Sequence, residues 1–270
     1  MLPKTLEDIA KYLVAEGKGI LAADESSKTI EKRFKAIHVA STAENRRKYR
    51  EMLFRSSSLP KAISGVILFD ETLRQQAADG TFLRDILHAQ GTLAGIKVDL
   101  GPKPFNEQTG ETLTTGLEGL MERCREYKAL GATFTKWRAV IHISDTKPSD
   151  SCIHANMQAL AEYAAIVQQN QMVPIVEPEV IMDGNHTIDR CYDVTKKTLT
   201  VLFEQLKQKD VNIKGTLLKP NMVISGTENP HQASIQEVAE KTLRCLTATV
   251  PETLPGIVFL SGGQSDIDAT

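Results

Sequence analysis

A single lysine, Lys219, ends a short apolar run in residues 215–222 and directly precedes Pro220. Proline commonly ends a strand, so the pattern predicts a strand with a lysine at its end. One interpretation is a lysine whose ammonium group extends into solvent. The other is a desolvated amine that attacks a carbonyl carbon and forms a Schiff base. The other charged residues of the chain decide between the two.

Charged residues recur late in four other apolar segments, often two positions apart. They are Asp24 and Glu25, Lys97 and Asp99, Lys136 and Arg138, and Glu177 and Glu179. In a strand, residues i and i+2 point to the same face, so such pairs project together. Because burying an unpaired charge is costly, cations and carboxylates on five segments favour a shared site over scattered surface residues.

The residue types suggest how such a site would divide its roles. A second lysine, Lys136, together with apolar walls would disfavour the protonated form of Lys219 and favour a neutral nucleophilic amine. Glu177 and Glu179 are suited to general acid and base catalysis. Asp24 supplies a further carboxylate from a distant segment.

Other residues are suited to binding an anion. Lys97 and Arg138 are interpreted as anion binders, and residues 261–263, Ser-Gly-Gly, offer a hydroxyl and flexible backbone amides to a phosphate oxygen. Most Ser-Gly-Gly sequences are only turns. In a parallel barrel, however, the loops after the late strands often hold phosphate, and this one follows the last apolar segment.

Seven short segments rich in β-branched and aliphatic residues must position these side chains. They are residues 19–25, 65–70, 94–100, 133–141, 172–180, 215–222 and 256–262. Helical periodicity lies before and between them, in residues 5–15, 45–54, 115–130, 155–167, 188–206 and 235–246. Alternating strands and helices predict an α/β fold, here a TIM (β/α)8 barrel with seven of its eight strands present. We expect one domain over residues 1–270.

Two local patterns add detail to this prediction. Residues 41–44, Ser-Thr-Ala-Glu, match a capping box that opens the helix at 45–54, and the charges of that helix are predicted to form a solvated face: Arg46, Arg47, Lys48 and Arg50. Residues 261–270 are all that follows the seventh segment, whereas eight strands close the barrel. We therefore expect a truncated version of a longer protein.

Composition argues against several classes of function. The 270 residues are 41% hydrophobic and 24% charged with a net charge of -2, which is typical of a globular protein and provides no basic face for nucleic acid or an anionic membrane. No run approaches the roughly 18 apolar residues that span a bilayer, and the N-terminus lacks a signal-peptide core. We expect a cytoplasmic protein.

Cofactor and metal signals are also lacking in the sequence. The four cysteines lie far apart and are predicted to be reduced, packed thiols. The six histidines show no ligand-spaced pair, so we expect no metal. Neither a Walker loop nor a G-x-G-x-x-G sequence follows a strand, so we expect no nucleotide cofactor.

Seven sequence motifs follow one another along essentially the whole chain. They are Gly-Ile-Leu-Ala-Ala-Asp-Glu-Ser (19–26), Gly-Val-Ile-Leu-Phe (65–69), Gly-Ile-Lys-Val-Asp (95–99), Lys-Trp-Arg (136–138), Val-Pro-Ile-Val-Glu-Pro-Glu (173–179), Gly-Thr-Leu-Leu-Lys-Pro-Asn-Met (215–222) and Phe-Leu-Ser-Gly-Gly-Gln-Ser (259–265). In this order they resemble the motifs of the class I, Schiff-base fructose-bisphosphate aldolases. The resemblance implies a (β/α)8 barrel, usually a homotetramer, that acts in glycolysis and gluconeogenesis. The implied reaction is the reversible, metal-independent cleavage of fructose 1,6-bisphosphate to dihydroxyacetone phosphate and glyceraldehyde 3-phosphate.

The resemblance also implies roles for individual residues. Lys219 matches the Schiff-base lysine, and Glu177 matches the acid/base that handles carbinolamine dehydration. Glu179 and Lys136 match the charge partners of this site. Asp24 resembles the base that takes the C4 hydroxyl proton as the C3–C4 bond breaks.

Two groups of residues correspond to phosphate sites of the family. The C6-phosphate side corresponds to Lys97, Arg138 and Ser26, and the C1-phosphate side to Arg33, Ser261, Gly262 and Gly263. Thr29 stands where the animal enzymes carry serine and keeps a hydroxyl, while Leu100 replaces a lysine. The family's eighth strand brings a Ser-x-Gly-Arg segment to the C1 phosphate, and its tail ends in a tyrosine linked to proton transfer; neither is in this sequence.

Two alternatives to an active aldolase remain open at this point. One is a catalytically impaired aldolase-fold fragment that acts as a binding or assembly module. The other is a Schiff-base barrel lyase for a different sugar. A covalent adduct of dihydroxyacetone phosphate on Lys219 argues against the first, and comparing fructose 1-phosphate with the bisphosphate tests the second.

Overall fold

The computed structural model describes residues 3–265 and 267–269; residues 1, 2, 266 and 270 of the predicted domain lie outside this description. Six strands form a parallel sheet in the order β1-β2-β3-β6-β7-β8. Their bounds are β1 Gly19–Ala23, β2 Ile63–Leu68, β3 Leu93–Lys97, β6 Phe134–Ile141, β7 Val173–Val180 and β8 Leu217–Leu218. With helices between the strands this is the architecture of a TIM barrel, which confirms the predicted fold class.

The seventh predicted strand segment, residues 256–262, joins this sheet only through Ile257. Ile257 forms a parallel bridge with Leu218, and the Val258 amide donates to the Leu218 carbonyl over 2.9 Å. Pro255 precedes the segment and cannot donate a ladder hydrogen bond. Gly262 and Gly263 end it with φ values of 61° and 85°, which are left-handed rather than extended.

An antiparallel hairpin, which the strand pattern did not predict, follows β3. It pairs β4, Pro102–Asn106, with β5, Glu111–Thr114. All five residues of β4 are exposed. Two prolines in β4 remove amide donors, so the strand belongs at an edge, and the sequence reads more readily as a loop.

Ten α-helices surround the strands in the described residues, and a short 3-10 helix, Ile213–Gly215, precedes β8. The α-helices are α1 Leu6–Leu13, α2 Ser27–Ala36, α3 Ala43–Phe54, α4 Leu59–Ala62, α5 Asp70–Arg74, α6 Leu83–Ala89, α7 Leu120–Ala129, α8 Asp150–Gln169, α9 Ile188–Gln208 and α10 Ile235–Thr249. The cap of α3 is Thr42 and not Ser41, since the Thr42 hydroxyl accepts from the Asn45 amide. None of these helices combines the length and apolar character needed to cross a bilayer.

A small apolar cluster fills the barrel at the amino ends of the strands. Ile9, Ala10 and Leu13 of α1 pack there with strand residues, including the fully buried Phe134. The Phe134 ring occupies space that a Cβ would take on Gly65 or Gly95, within 2.9 Å and 2.3 Å of its nearest ring carbons. The cluster closes this end of the barrel, so the site must open at the carboxyl ends.

Burial corrects one prediction and confirms another. The helix α3 does not present all its charges to solvent: Arg50 is fully buried, and the Arg46 and Arg47 side chains are only 15% and 13% exposed. Arg46 and Arg50 lie against carboxylates of other elements, Glu71 and Glu25. Arg47 instead pairs with Glu44 and Glu51 of α3 itself. The four cysteines are buried free thiols, as predicted.

Candidate active site

Lys219 lies at the end of β8 and is 7% exposed. Its amide donates to the Val176 carbonyl of β7 over 2.9 Å, which carries the sheet pairing up to the lysine itself. Its ammonium nitrogen, Nζ, lies 2.7 Å from Glu177 Oε1. The lysine therefore points into the barrel against a carboxylate and does not extend into solvent, so the solvent interpretation is wrong.

Glu177 links Lys219 to a second lysine. Its other oxygen, Oε2, lies 3.4 Å from Lys136 Nζ on β6, and Lys136 Nζ lies 2.7 Å from Asp24 Oδ2 just after β1. The result is a row of alternating charge, Lys219, Glu177, Lys136 and Asp24, drawn from β6, β7 and the residues that directly follow β1 and β8. The glutamate, with 3% exposure, and Lys136, with 5%, are buried.

The charge of Lys136 follows from these neighbours. Burial alone would lower its pKa, but the carboxylates of Glu177 and Asp24 outweigh that effect and raise the pKa above the ordinary value for lysine. Lys136 is therefore a fixed cation at neutral pH. It faces one oxygen of Glu177 while Lys219 faces the other, so the carboxylate is shared between the two lysines.

Glu179 and Arg138 form a separate ion pair one layer further out. The Arg138 Nε donates to Glu179 Oε2, and the side chains are 42% and 24% exposed. Burial would lower the pKa of Arg138, but its pairing with Glu179 raises it. Glu179 shares the inward face of β7 with Glu177, as the spacing predicted, yet its partner is Arg138 and not Lys219.

Lys97 and Asp99 form a third pair at the end of β3. The Lys97 ammonium donates to the carboxylate and the carbonyl of Asp99. The Asp99 side chain also accepts from the amides of Gly101, over 3.1 Å, and Arg138, over 3.3 Å. A buried aspartate thus ties the end of β3 to β6.

A cavity of about 360 Å³ lies at the carboxyl ends of the late strands. Five of the predicted substrate-binding residues line it: Arg33, Arg138, Ser261, Gly262 and Gly263. A Cβ on Gly263 would lie 1.8 Å from the Met182 sulfur, so only glycine fits there. The cavity offers two guanidinium groups, a hydroxyl and backbone amides, which suits a phosphate.

Ser26 and Thr29 lie at the start of α2. The Ser26 hydroxyl accepts from the Thr29 amide over 3.4 Å and lies 3.0 Å from the Thr29 hydroxyl. Ser26 is therefore the N-cap of α2, and this contact places both hydroxyls at a helix N-terminus. Arg33, one turn later, pairs with Glu25.

Comparison with known proteins decides the family. A model described as fructose-bisphosphate aldolase class-I matches residues 5–270. The chain belongs to the class I fructose-bisphosphate aldolases.

Individual aldolases match over nearly the whole chain. A probable fructose-bisphosphate aldolase class 1 of Xanthomonas axonopodis pv. citri (strain 306) is 53% identical over 98% of this chain and 79% of its own length. Fructose-bisphosphate aldolase C-B of Danio rerio is 50% identical over 99% of this chain and 74% of its own. The solved aldolase of Plasmodium falciparum, 48% identical, superposes with a TM-score of 0.96 over 99% of this chain and 79% of that one.

Membership in the aldolase family establishes the reaction class. The protein is a lyase of the Schiff-base type, which acts on phosphorylated sugars and needs no metal for the electron-sink role. In residues 3–265 and 267–269, no group of three or more His, Cys, Asp or Glu side chains is arranged to hold a metal ion.

Asn221 is a structural partner of this aldolase site that the sequence interpretation missed. Its Oδ1 accepts from the Val180 amide over 3.1 Å, and its Nδ2 donates to the Thr195 hydroxyl of α9 over 3.0 Å. The residue thereby ties the segment after Lys219 to the end of β7. The sequence does contain a signal for Asn221: an amide side chain two residues after Lys219, within the Lys-Pro-Asn motif.

Proposed function

We propose that Lys219 is the nucleophile with which this aldolase cleaves fructose 1,6-bisphosphate to dihydroxyacetone phosphate and glyceraldehyde 3-phosphate. The observation that carries the proposal is the 2.7 Å contact between Lys219 Nζ and Glu177 Oε1 within the buried row of alternating charge. A lysine with a carboxylate in contact can pass a proton to it and attack a carbonyl carbon. The separate Lys136 keeps a positive charge beside the carboxylates.

The first step joins the enzyme to the sugar. Lys219 first passes its ammonium proton to Glu177, and the neutral amine then attacks C2 of the open-chain ketose. A proton from the attacking nitrogen moves to the former carbonyl oxygen to give a carbinolamine. Glu177 then gives a proton to the departing hydroxyl, water leaves, and an iminium forms between C2 and Nζ. The single carboxylate in contact with Lys219 is suited to both proton movements because its Oε1 lies within hydrogen-bond distance of the reacting nitrogen.

The second step breaks the C3–C4 bond. Asp24 accepts the C4 hydroxyl proton, C4 becomes the aldehyde carbon of glyceraldehyde 3-phosphate, and the bonding electrons pass through C3 into the iminium to give an enamine. Protonation at C3 and hydrolysis of the iminium then release dihydroxyacetone phosphate. Lys136 Nζ lies 2.7 Å from Asp24 Oδ2 and holds this carboxylate in place within the row.

The two phosphates are proposed to bind on either side of this row. The cavity lined by Arg33, Ser261, Gly262 and Gly263 supports a C1-phosphate site. Lys97, Arg138, Ser26 and Thr29 are proposed for the C6 side. Arg138 also lines the cavity, which is compatible with a role between the two sites.

The proposed setting follows the aldolase family. We propose one barrel domain over residues 1–270, a cytoplasmic location and a homotetrameric assembly. Light scattering of the purified protein at several concentrations tests the assembly, with a monomer mass at all of them as the contradicting result.

Borohydride reduction tests the proposed nucleophile. Reduction in the presence of dihydroxyacetone phosphate converts the iminium to a stable secondary amine, which peptide mapping should place on Lys219. The variant Lys219→Arg should form no adduct and lose cleavage activity, while Lys209→Arg, which changes a surface lysine, should behave as the unaltered protein. An adduct on another lysine, or normal cleavage by Lys219→Arg, would overturn the assignment.

A further inference from the structure

Arg50, on α3, is a fully buried arginine that the proposed chemistry does not use. Its Nη2 donates to the carbonyl oxygen of Glu25 over 2.9 Å. Its Nε and Nη1 atoms make no hydrogen bond with any described residue. A guanidinium is expensive to bury and carries five N–H donors, yet among the described residues only Nη2 of Arg50 has a hydrogen-bond partner.

Two carboxylates lie near the guanidinium group of Arg50. The nearest approaches are 3.7 Å from its Nη2 to Glu25 Oε2 and 3.7 Å from its Nη1 to Glu71 Oε2. Both carboxylates are shared with a second arginine: Glu25 pairs with Arg33, and Glu71 binds Arg46 through two hydrogen bonds of 2.6 Å and 2.8 Å. Through these contacts three guanidinium groups share two carboxylates, leaving a surplus of positive charge.

Arg33 is the arginine of this cluster that lies beside the phosphate-suited cavity. The Arg33 side chain is 61% exposed and lines the phosphate-suited cavity, whereas the Glu25 side chain is only 6% exposed. A long, exposed arginine loses much conformational freedom when it binds an anion, so an anchor that already holds it favours binding. Glu25 is that anchor, and Arg50 lies behind Glu25, on the side away from solvent.

Stability alone does not account for Arg50. Buried ion clusters are often no more stabilising than apolar residues of similar volume. The contact to the Glu25 carbonyl, however, also fixes the turn between β1 and α2, in which Asp24 precedes and Ser26 follows Glu25. Arg50 thus holds both the backbone and the side chain of the residue that orients Arg33.

We propose that Arg50 is a positioning residue for phosphate recognition: through the carboxylate and carbonyl of Glu25 it holds Arg33 toward the cavity that binds the C1 phosphate. The inference rests on the proposed function, since it takes Arg33 as a phosphate ligand. It assigns Arg50 no contact with the substrate.

A double-mutant cycle tests the proposal with two ketones, dihydroxyacetone phosphate and unphosphorylated dihydroxyacetone. Trapping on Lys219 by borohydride is measured against ketone concentration. Arg50→Met should raise the concentration of dihydroxyacetone phosphate that gives half-maximal trapping roughly 10-fold, as expected for the loss of a charge-assisted contact. The corresponding concentration of unphosphorylated dihydroxyacetone should not change. In an Arg33→Ala background, Arg50→Met should have little further effect, because the two residues act in series. Arg50→Lys should restore part of the loss.

Matched variants separate positioning from a general effect on folding. Arg47→Met removes another largely buried arginine of α3, whose partners Glu44 and Glu51 do not contact Glu25, and should leave trapping of both ketones unchanged. Glu25→Gln keeps the shape of the link without its charge and should reproduce Arg50→Met. If Arg50→Met does not fold, Glu25→Gln and Arg50→Lys carry the same test.

Two results would overturn the proposal, and they differ from failure of the proposed function. Equal losses for both ketones, or additive losses in the cycle, would make Arg50 a purely structural residue while trapping on Lys219 still holds. Absence of any Lys219 adduct in the unaltered protein would instead contradict the proposed function, and the inference with it.

Discussion

The same strands carry an apolar layer at one end of the barrel and a charged layer at the other. On β6 the inward residues are Phe134 and then Lys136, and on β7 they are Ile175 and then Glu177. On β8, Leu217 is followed by Lys219. Two residues along a strand, roughly 7 Å, separate a fully apolar environment from a row of charges.

The two layers contribute in different ways. The apolar layer, which includes α1, removes side chains such as Phe134 from water and is worth about 2–3 kcal/mol for each large side chain buried. The charged layer costs desolvation energy and persists because opposite charges alternate along it. Stability and chemistry are thus separated along the strands, and substitutions in each layer should have different signatures.

The largest expected effect is on activity. Glu177→Gln should lower kcat by about 10³-fold, since general acid–base groups contribute on that order. The amide keeps an oxygen that can accept a hydrogen bond from Lys219, but it leaves Lys136 and Lys219 without the carboxylate between them. The free energy of unfolding should therefore also fall, by about 3 kcal/mol. Steady-state kinetics with fructose 1,6-bisphosphate and urea unfolding measure the two quantities. Near-normal kcat would remove Glu177 from the proton-transfer role.

Lys136→Met should lower both kcat and the free energy of unfolding. Removing this buried cation leaves Asp24 and Glu177 facing each other across the gap, and breaking a buried ion pair costs about 4 kcal/mol. Asp24→Asn combined with Lys136→Met should recover part of this loss, because it removes the partner as well. If the single variant were as stable as the unaltered protein, the charged layer would not depend on alternating charge.

The stabilisation that Lys136 provides should decrease at high pH. The pKa of Lys136 is raised in the folded protein, so its stabilisation is complete below the ordinary lysine pKa of about 10.4 and is lost as pH rises beyond it. The difference in unfolding free energy between unaltered protein and Lys136→Met should be constant from neutral pH to about pH 10 and shrink above that. Urea unfolding at a series of pH values measures it.

The sequence was sufficient to predict which residues meet in the charged layer. Spacing of two residues places side chains on one face of a strand, and parallel strands bring their carboxyl ends to the same rim, so Lys219, Glu177, Lys136 and Asp24 had to be close. The spacing does not tell how far out along the barrel each pair lies. For that reason the pairing of Glu179 with Arg138 followed only from the structure.

Arg50 shows a second limit of sequence interpretation. Charged residues at helical spacing usually form a solvated face, and the sequence of α3 contains nothing that distinguishes Arg50 from Lys48, whose side chain is 64% exposed. What compensates Arg50 is the position of Glu25 and Glu71 on other elements. Carboxylates that come from other elements leave no pattern in the sequence of α3 itself.

The apolar layer should respond to substitution by a loss of stability alone. Gly95→Ala places a methyl group 2.3 Å from the buried Phe134 ring, and overpacking of this kind should cost about 3 kcal/mol. Folded protein should keep its kcat, because the clash lies in the apolar layer, roughly 7 Å along the strand from the charged row. Gly19→Ala provides a control for replacing a strand glycine without a clash, because the added Cβ would lie 4.0 Å from its nearest neighbour, the Ala62 carbonyl oxygen, and Gly19 is not left-handed. A kcat that fell in parallel with stability would show that the layers are coupled.

The smallest effect should come from a charge that lies outside both layers. Lys209 Nζ lies 3.3 Å from Glu162 Oε2, a distance similar to that between Lys136 and Glu177, but the two side chains are 38% and 43% exposed. Water already solvates both groups, so Lys209→Met should change the free energy of unfolding by less than about 0.5 kcal/mol and leave kcat unchanged. Burial, and not the ion-pair distance, is then what gives the charged layer its energetic weight. A loss comparable to that of Lys136→Met would instead mean that distance alone decides, and the contrast between the layers would have to be explained in another way.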